Sequence, residues 1–392
     1  MPTGFLSTEE IDCGLPLARV DLGALRRNWR FLAARGEDMP PLGVVKADAY
    51  GHGMPRVARV LLDEGCRMFA TGSVAEGVLL RRNFAESGVE GVTILPLLGI
   101  LDARDADAAL RHNLLPLVHS TREAALLKAA HTGSAPLPVA VKIETGMGRL
   151  GFRAGQEEEL VASLRDSGAL SPVLLLSHLA SADDPERDES VAIQAGRFLA
   201  AYARLREIWP DIAASLANSG AYLARETLPP SFPPQIGRPG LALYGANPFE
   251  GTRRQALGAA LVPVMSVAAP VLCVHDLPAG ASVSYGSVFT APRPMRVAVV
   301  GAGYADGFSR GLSGKGRVCI RGESCPILGR VCMQMHIVDV SHVPEAAAGD
   351  EAHLLGGTGP GAVSAAELAA GWGSIPYEVF CALGKNRRRY EE

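Results

Sequence analysis

The sequence has no cysteine pattern that would indicate a disulfide framework or a zinc site. Its seven cysteines are an odd number, and no two of them are spaced as CxxC. No apolar run approaches the roughly 18 residues that a membrane-crossing helix needs. The N-terminus, MPTGFLSTEEIDCG, lacks the charged region and the apolar stretch of a secretory signal. We therefore expect a protein of the reducing cytoplasm with no membrane partner.

The chain also lacks an excess of charge of either sign. Its 38 Lys and Arg residues and 41 Asp and Glu residues give a net charge of -3 and a pI near 6.3. Such a balance creates no field that would attract nucleic acid. Metal-ligand spacings such as HxxxH and HExxH are missing as well. Polar residues that converge on a site would therefore favour an organic cofactor with charged groups over a metal.

The chain does contain a long alternation of short apolar runs with helix-like segments. At 392 residues, 48% of them hydrophobic, it can form two domains with full cores. The spacing predicts an α/β fold with an N-terminal (β/α)8 TIM barrel, and a doubly wound open sheet is the alternative. The eight candidate strands are residues 42–46, 68–71, 92–97, 115–118, 139–144, 173–177, 215–218 and 241–244.

The pattern changes after about residue 258. Short β-rich runs at 271–274, 296–300, 318–321 and 337–340 are separated by Gly, Pro and Asp turns, and a helix is expected only at 362–370. We predict a barrel over residues 12–258 and a C-terminal mainly-β domain over residues 259–392. Residues 1–11 are candidates to join the first strand of this second domain.

The segment 43–53, GVVKADAYGHG, places a lysine at the end of the first candidate strand. Lys46 either reaches solvent there or serves chemistry such as an imine with an aldehyde, and the residues alone leave both interpretations open. The carboxyl ends of barrel strands carry the catalytic groups of this fold. Other polar residues at such ends are Tyr50, Lys142, Glu144, Arg149, His178, Asn218, Ser219 and Arg238.

Nine motifs together resemble the alanine racemases, a family of fold-type III enzymes that use pyridoxal 5'-phosphate (PLP). The resemblance covers nearly the whole chain, and the nine occur in the family's order. They are GVVKADAYGHG, VKIETGMGRLGF, SHLASAD, ANSGA, GRPGLALYG, VSYGSVFTA, GAGYADGFSR, GRVCM and IPYEVFC.

The resemblance implies a role for each matching residue. Lys46 would bind PLP and act as one of two catalytic bases, and Tyr285 would be the other. Arg238 would face the pyridine nitrogen of PLP, His178 would lie beside the ring, and Arg149 would contact the phenolic oxygen and the substrate. Lys142 is a candidate for carbamylation. The expected phosphate contacts are Tyr50, Ser219, Gly240, Leu241 and Tyr377, and the expected substrate contacts include Tyr304 and Met333.

Without the resemblance, each of these side chains has an ordinary structural interpretation. Tyr285 could pack at a turn, His178 could be a satisfied polar residue of the barrel rim, Arg238 could lie in a surface loop and Lys142 could reach solvent. The chain also departs from the family: Gln334 follows Met333 where aspartate is usual, and residues 287–289 differ from the commoner pattern. These departures bear on the choice of substrate.

The implied activity is interconversion of L- and D-alanine, either for cell-wall synthesis or in alanine catabolism. A homodimer is implied as well, because the family's tyrosine base acts in the active site of the other subunit. The alternatives are a serine-preferring or broad-specificity racemase, a fold-type III decarboxylase, and a non-catalytic PLP-binding paralogue. Arg238 argues against the decarboxylase, which usually has a glutamate at that position. The presence of both Lys46 and Tyr285 argues against the non-catalytic paralogue.

Overall fold

The structure, a computed structural model, describes residues 16–36, 38–153, 155–165 and 168–392. In chain order its strands are β1 (Leu17–Asp21), β2 (Gly43–Val44), β3 (Met68–Thr71), β4 (Thr93–Pro96), β5 (Leu117–Val118), β6 (Leu137–Lys142), β7 (Leu170–Leu176), β8 (Ala213–Ser215), β9 (Met265–Leu277), β10 (Ser282–Val283), β11 (Phe289–Thr290), β12 (Met295–Val300), β13 (Arg317–Ile320), β14 (Glu323–Leu328), β15 (His336–Asp339), β16 (Glu351–Leu355) and β17 (Arg387–Glu391). Its helices are α1 (Leu22–Ala34), α2 (Met54–Asp63), α3 (Val74–Glu86), α4 (Ala103–Arg111), α5 (Thr121–Ala130), α6 (Glu157–Arg165), α7 (Asp188–Arg206), α8 (Ser219–Leu223), α9 (Gly240–Leu243), α10 (Ala365–Trp372) and α11 (Pro376–Leu383).

The chain divides into two units. The barrel unit consists of Leu25–Ala49 and Met54–Val262, and the β unit consists of residues 16–24, Tyr50–Gly53 and Pro263–Glu392. The domain boundary drawn from the sequence, between residues 258 and 259, stays a prediction. The expected contribution of residues 1–11 to the second domain lies outside the described residues.

Strands β2 to β8 run parallel in the barrel unit, as the alternating pattern predicts. They form the groups β2–β3–β4 and β5–β6–β7–β8, and the N–H of Leu115 donates to the carbonyl of Ile94 at 2.8 Å between the groups. The central residues of these strands are apolar and buried, which is typical of a parallel sheet that is covered on both faces. The barrel architecture is confirmed.

The eighth strand position of the barrel is occupied by residues 235–238. Gln235 bridges in parallel to Ala214 in β8, and Gly237 bridges in parallel to Pro41, just before β2. The N–H of Leu42 also donates to the carbonyl of Gly237 at 2.9 Å. These contacts connect β8 to β2 and close the series of parallel strands.

The prediction of a strand at 241–244 is wrong, because residues 241–243 lie in the short helix α9. Pro239 precedes the helix and has no N–H to contribute to a sheet ladder. All four residues of α9 are buried, so their apolar character alone could not distinguish a buried strand from a buried helix. Tyr244 follows the helix and donates its hydroxyl to the carbonyl of Val44 at 2.8 Å.

The β unit contains one large sheet with the strand order β12-β15-β14-β13-β16-β9-β1-β17. The 13-residue strand β9 pairs with β1 and β16 along its first part and with β12 along its second part. The four predicted β-rich runs fall within or largely overlap β9, β12, β13 and β15, and the predicted helix overlaps α10. Sequence reasoning missed β1, β10, β11, β14, β16, β17 and α11.

His336, a fully buried histidine in the β unit, should make folding sensitive to acid. Its Nδ1–H donates to the carbonyl of Ala302 at 2.8 Å, its ring stacks on Phe308, and its Nε2 has no hydrogen-bond partner. Burial lowers the pKa of His336 to about 4. As the pH falls, the unfolded chain, in which histidine has a pKa of about 6.5, therefore binds the proton before the folded chain does. Stability present above about pH 6.5 is therefore lost as the pH falls towards 4, by up to about 3 kcal/mol.

Thermal unfolding of wild type and His336→Asn between pH 4.5 and 7.5 measures this effect. We expect the variant to show a flatter loss of stability towards acid than wild type. His342→Asn is the control, because His342 is exposed. Parallel curves for wild type and His336→Asn would rule out this source of acid sensitivity.

Candidate active site

Lys46 follows β2 and begins a turn of unusual conformation. The φ angles of Ala47, Asp48, Ala49 and Tyr50 lie between 52° and 55°, in the left-handed region. Each non-glycine residue in this conformation costs roughly 1–2 kcal/mol, so the surroundings must hold the turn. Successive strained residues after a candidate catalytic lysine indicate that its direction is fixed at an energetic cost.

Two carboxylates of the barrel unit hold this turn. Asp48 accepts the N–H of Met54 at 2.7 Å. Glu76, in the first turn of α3, accepts the N–H of Ala47 through Oε1 at 3.0 Å and the N–H of Gly72 through Oε2 at 2.6 Å. Glu76 therefore connects the segment after β2 to the segment after β3.

Four cationic side chains act on one another at the carboxyl ends of the barrel strands. Burial, followed by the charges of Arg149, Arg238 and Lys46, lowers the pKa of Lys142 to about 8. The pKa of His178 lies well below its usual range, because the imidazole is buried and the same cations surround it. The structure thus brings together five residues that the sequence predicts for one site.

The guanidinium of Arg238 is fixed by its hydrogen bonds. It donates to Oγ of Ser215, to the carbonyl of Ser177 and, at 3.3 Å, to the carbonyl of Leu216. Burial lowers its pKa to about 10, which still leaves it charged at neutral pH. Arg238 is therefore buried inside the barrel unit and does not lie on the surface.

An anionic ligand would stabilise this cluster of positive charges. The nearby carboxylate of Glu144 accepts backbone N–H groups from Gly146, Met147 and Gly148 through one oxygen. Lys142, Arg149 and His178 line one small cavity. Among the described residues, no group of three or more His, Cys, Asp or Glu side chains could hold a metal ion. The donor set suits an organic cofactor with a phosphate and an acidic hydroxyl.

The predicted phosphate contacts of the barrel unit lie where two short helices begin. Asn218 caps α8 by accepting the N–H of Ala221 at 3.3 Å. Ser219, the first residue of α8, accepts the N–H of Ala242 in α9 through Oγ at 3.2 Å. Gly240 and Leu241 open α9. The structure therefore places Ser219 against the segment that contains Gly240 and Leu241.

The other two predicted phosphate contacts, Tyr50 and Tyr377, belong to the β unit. Their ring centroids lie 5.6 Å apart. Burial, with a further contribution from Tyr377, raises the pKa of Tyr50 above its usual value, so that the hydroxyl stays protonated. The backbone at Gly384 also packs closely against the carbonyl oxygen of Gly51. A Cβ on Gly384 would lie 2.2 Å from this oxygen, so glycine is required at this position.

Tyr285 lies in an exposed and strained turn of the β unit. Its relative exposure is 72%, and Ser284 and Ser287 on either side have φ angles of 63° and 48°. Together with Met333 and Gln334 it lines a cavity of about 560 Å³. The predicted catalytic tyrosine and the predicted substrate contact Met333 thus share one surface.

The segments of Tyr304 and Met333 are joined by their backbones. The N–H of Tyr304 donates to the carbonyl of Cys332 at 3.1 Å, and the N–H of Ala305 donates to that of Met333 at 2.9 Å. A Cβ on Gly303 would lie 2.2 Å from the carbonyl oxygen of Cys332. The predicted substrate contacts Tyr304 and Met333 are therefore held in a fixed relation.

Sequence reasoning missed the polar residues that support the site. They include Glu76, Thr145, Ser177 and Gln194, each of which hydrogen-bonds to the segment of a predicted site residue. Gln194 had a detectable signal. It lies at helical spacing with Val191, Ala195 and Phe198 on the buried face of α7, where a polar side chain needs a partner.

Comparisons with known proteins agree with this geometry. Residues 20–248 match the family described as "Alanine racemase, N-terminal domain", and residues 264–391 match "Alanine racemase, C-terminal domain". An alanine racemase of Nitratidesulfovibrio vulgaris strain Miyazaki F is 48% identical over 95% of this chain and 97% of its own. An alanine racemase of Lawsonia intracellularis is 43% identical over 94% of this chain and 95% of its own.

Solved structures show the same similarity. The biosynthetic alanine racemase of Pseudomonas aeruginosa superimposes with a TM-score of 0.83 at 31% identity, over 96% of this chain and 99% of its own. The alanine racemase of Bartonella henselae with covalently bound pyridoxal phosphate gives 0.82 at 28% identity, over 97% and 100%. The chain belongs to the alanine racemase family.

Proposed function

We propose that the protein interconverts L- and D-alanine with PLP and two catalytic bases, Lys46 and Tyr285. The observation that carries this proposal is the group of four cations, which includes Lys46, at the carboxyl ends of the barrel strands. When bound, PLP supplies an aldehyde that takes up the amino group of the substrate and a ring that makes the α-hydrogen acidic.

The residues of the barrel unit would hold the cofactor. Arg149 would bind its phenolic oxygen, and Ser219 with the N–H groups of α9 would bind its phosphate. Arg238 would donate to the ring nitrogen and leave it unprotonated, because the guanidinium keeps its own proton at neutral pH. A ring with an unprotonated nitrogen would be a weaker electron sink. Proton return at any atom other than the α-carbon would then be disfavoured, which favours racemisation over transamination.

Lys46 and Tyr285 would exchange protons with opposite faces of the substrate. Nζ of Lys46 takes up or returns a proton at one face of the α-carbon, and Oη of Tyr285 does so at the other. The exposure of Tyr285 leaves its hydroxyl accessible to a substrate. Met333 and Tyr304 would contact the substrate carboxylate and line its approach.

We propose that the active protein is a homodimer in which Tyr285 completes the site of the partner subunit. The supporting surface lies on the β unit. Cys273, Val299 and Ile337 are aligned across β9, β12 and β15, and the exposed Met333 and Met335 extend this row. Val299 and Ile337 are partly exposed and Cys273 is exposed, and a partly exposed apolar surface beside the proposed catalytic tyrosine suits association with a second copy.

The proposed role is to supply D-alanine for cell-wall synthesis or to act in alanine catabolism. We further propose that the protein works in the cytoplasm. The six cysteines that the structure describes are free thiols, as expected in a reducing compartment. None of the described helices is both long and apolar enough to cross a membrane.

The test is to incubate the purified protein and PLP with single L-amino acids in deuterium oxide. Chiral analysis and α-deuterium incorporation report racemisation directly. We expect alanine to racemise fastest. Faster turnover of serine would favour the alternative substrate, for which Gln334 on the wall of the β-unit cavity is the candidate determinant. Absence of α-hydrogen exchange for every amino acid would overturn the proposed function.

Lys142 is predicted to be carbamylated. The protonated amine of Lys142 would add a fourth positive charge to a group of three cations, which is unfavourable. Its carbamate is instead an anion that Arg149 can bind. Carbamate forms from the neutral amine, and near pH 8 about half of Lys142 is neutral. We expect protein equilibrated with ¹³C-labelled CO₂ to show a carbamate NMR signal that Lys142→Met lacks.

The signal should also follow the protonation of the amine. At constant CO₂ pressure it should weaken as the pH falls below about 8, because the protonated amine does not react. Lys315→Met, at an exposed position, should leave it unchanged. A spectrum that is the same in wild type and Lys142→Met would contradict the carbamate.

A further inference from the structure

Gln194 is a buried residue of α7 for which neither the motifs nor the proposed mechanism has a role. Its relative exposure is 2%. Oε1 accepts the N–H of Ala180 at 2.9 Å, and Nε2 donates to the carbonyl of His178 at 3.1 Å and to Oγ1 of Thr145 at 3.3 Å. The N–H of Ala180 can only donate, so it fixes which end of the amide is the oxygen.

Hydrogen bonds from side chains hold three backbone groups of the segment that starts at His178. Gln194 binds the carbonyl of His178 and the N–H of Ala180, and Nδ2 of Asn218 donates to the carbonyl of Leu179 between them at 3.2 Å. This segment of the barrel rim therefore has little freedom to shift. These contacts hold the backbone that carries the His178 imidazole.

The contact with Thr145 extends the same network to the other side of the site. Oγ1 of Thr145 shares a hydrogen bond of 2.8 Å with Oγ of Ser177, and Ser177 accepts from Arg238 through its carbonyl. Thr145 lies in the loop that leads to Arg149. The side chain of Gln194 packs against Gly146 in that loop so closely that a Cβ on this glycine would lie 3.0 Å from Cγ of Gln194. Gln194 thus touches the segments of both Arg149 and His178.

We propose that Gln194 is a positioning residue that fixes His178 and the Arg149 loop for cofactor binding. It touches neither cofactor nor substrate and acts through the backbone that carries these two side chains. This role rests on the proposed function, because it assigns His178 and Arg149 to the PLP site. Its test measures PLP affinity, which does not require racemisation.

Two substitutions separate hydrogen bonding from packing. Gln194→Met has a similar length and is apolar, so it removes all three hydrogen bonds; we expect the dissociation constant of PLP to rise about tenfold. Gln194→Glu keeps the acceptor for Ala180 and, when protonated, also a donor for the carbonyl of His178. Its PLP affinity should approach that of wild type at low pH and fall as the carboxyl loses its proton.

PLP absorbance titrations from pH 5.5 to 8.5 on both variants and wild type provide the measurement. Phe198→Leu is the control, because Phe198 is fully buried on the same helix and stacks on Phe232. This substitution should lower the melting temperature. It should leave PLP affinity within about twofold of wild type, since it breaks none of the hydrogen bonds of Gln194. A Gln194→Met affinity within twofold of wild type, or a Gln194→Glu affinity with the pH dependence of wild type, would overturn the role of Gln194. Failure of wild type itself to bind PLP would instead overturn the proposed function.

Discussion

Lys46→Ala is expected to lose at least about 10⁴-fold in alanine racemisation, with PLP added in excess. The substitution removes both the amine that is proposed to hold the cofactor covalently and the proposed base at one face of the substrate. The turn 46–50 should survive, because Asp48 and Glu76 hold it through hydrogen bonds to backbone groups. Chiral analysis of alanine measures the activity, and borohydride trapping followed by peptide mass analysis measures the covalent attachment of PLP.

Two control variants show what causes the loss of activity in Lys46→Ala. Lys46→Arg keeps the positive charge but cannot form the covalent link, so it should be as inactive as Lys46→Ala if attachment and proton transfer matter more than charge. Lys315→Ala changes an exposed lysine and should behave as wild type. Labelling of Lys142 by trapped PLP in the wild-type protein would contradict the assignment, because Lys142 is the other lysine of the barrel-unit cluster.

The grouping of the candidate site residues was predictable from the sequence because it follows from one physical rule. Parallel strands that alternate with helices close into a barrel, and the residues at their carboxyl ends then share one rim. Lys46, Lys142, His178 and Arg238 were found in this way, and the structure brings them together. Their individual roles were not predictable from spacing, because a lysine or histidine at a strand end has the same local pattern whether or not it binds a ligand.

The eighth strand position shows where apolar patterning fails. Residues 235–238 include a glutamine, a glycine and an arginine, and they lack the apolar run of a buried strand. Their strand-like path is set by bridges to Ala214, Asn218 and Pro41, which are distant in sequence. The apolar run that follows became the helix α9 instead. Tertiary contacts outweighed local preference at the segment that carries Arg238.

The strained turn after Lys46 was also beyond sequence reasoning. Ala47 and Ala49 favour the right-handed helix, and nothing in ADAY indicates four successive left-handed residues. The conformation depends on Glu76, which lies 29 residues further along the chain, beyond α2 and β3, and binds the N–H of Ala47. Long-range polar contacts of this kind are found only when the fold is known.

Tyr285→Phe is expected to lose between about 10² and 10⁴ in racemisation, because one of the two proposed proton-transfer groups is removed while the ring is kept. The two enantiomers are equal in free energy, so the ratio of kcat/KM in the two directions is fixed at one. The substitution must therefore lower kcat/KM by the same factor for L-alanine and for D-alanine. The asymmetry should appear in α-hydrogen exchange instead. The enantiomer deprotonated by Lys46 should continue to exchange with deuterium oxide without inversion, and the other should not.

Tyr304→Phe is the matched control, since it removes a hydroxyl from another exposed tyrosine of the β unit. Its exchange should remain alike for the two enantiomers. Equal loss of exchange from both enantiomers in Tyr285→Phe would contradict its role as the second base, and so would continued exchange of both.

Mixing the two inactive variants tests whether Tyr285 acts in the partner's site. In a hybrid dimer of Lys46→Ala and Tyr285→Phe subunits, one site would combine the intact Lys46 of one chain with the intact Tyr285 of the other. Random subunit exchange makes half of the dimers hybrid, each with one of two sites intact, so activity should recover to about a quarter of wild type. If Tyr285 instead served its own chain, both hybrid sites would lack one base, and mixing would restore nothing.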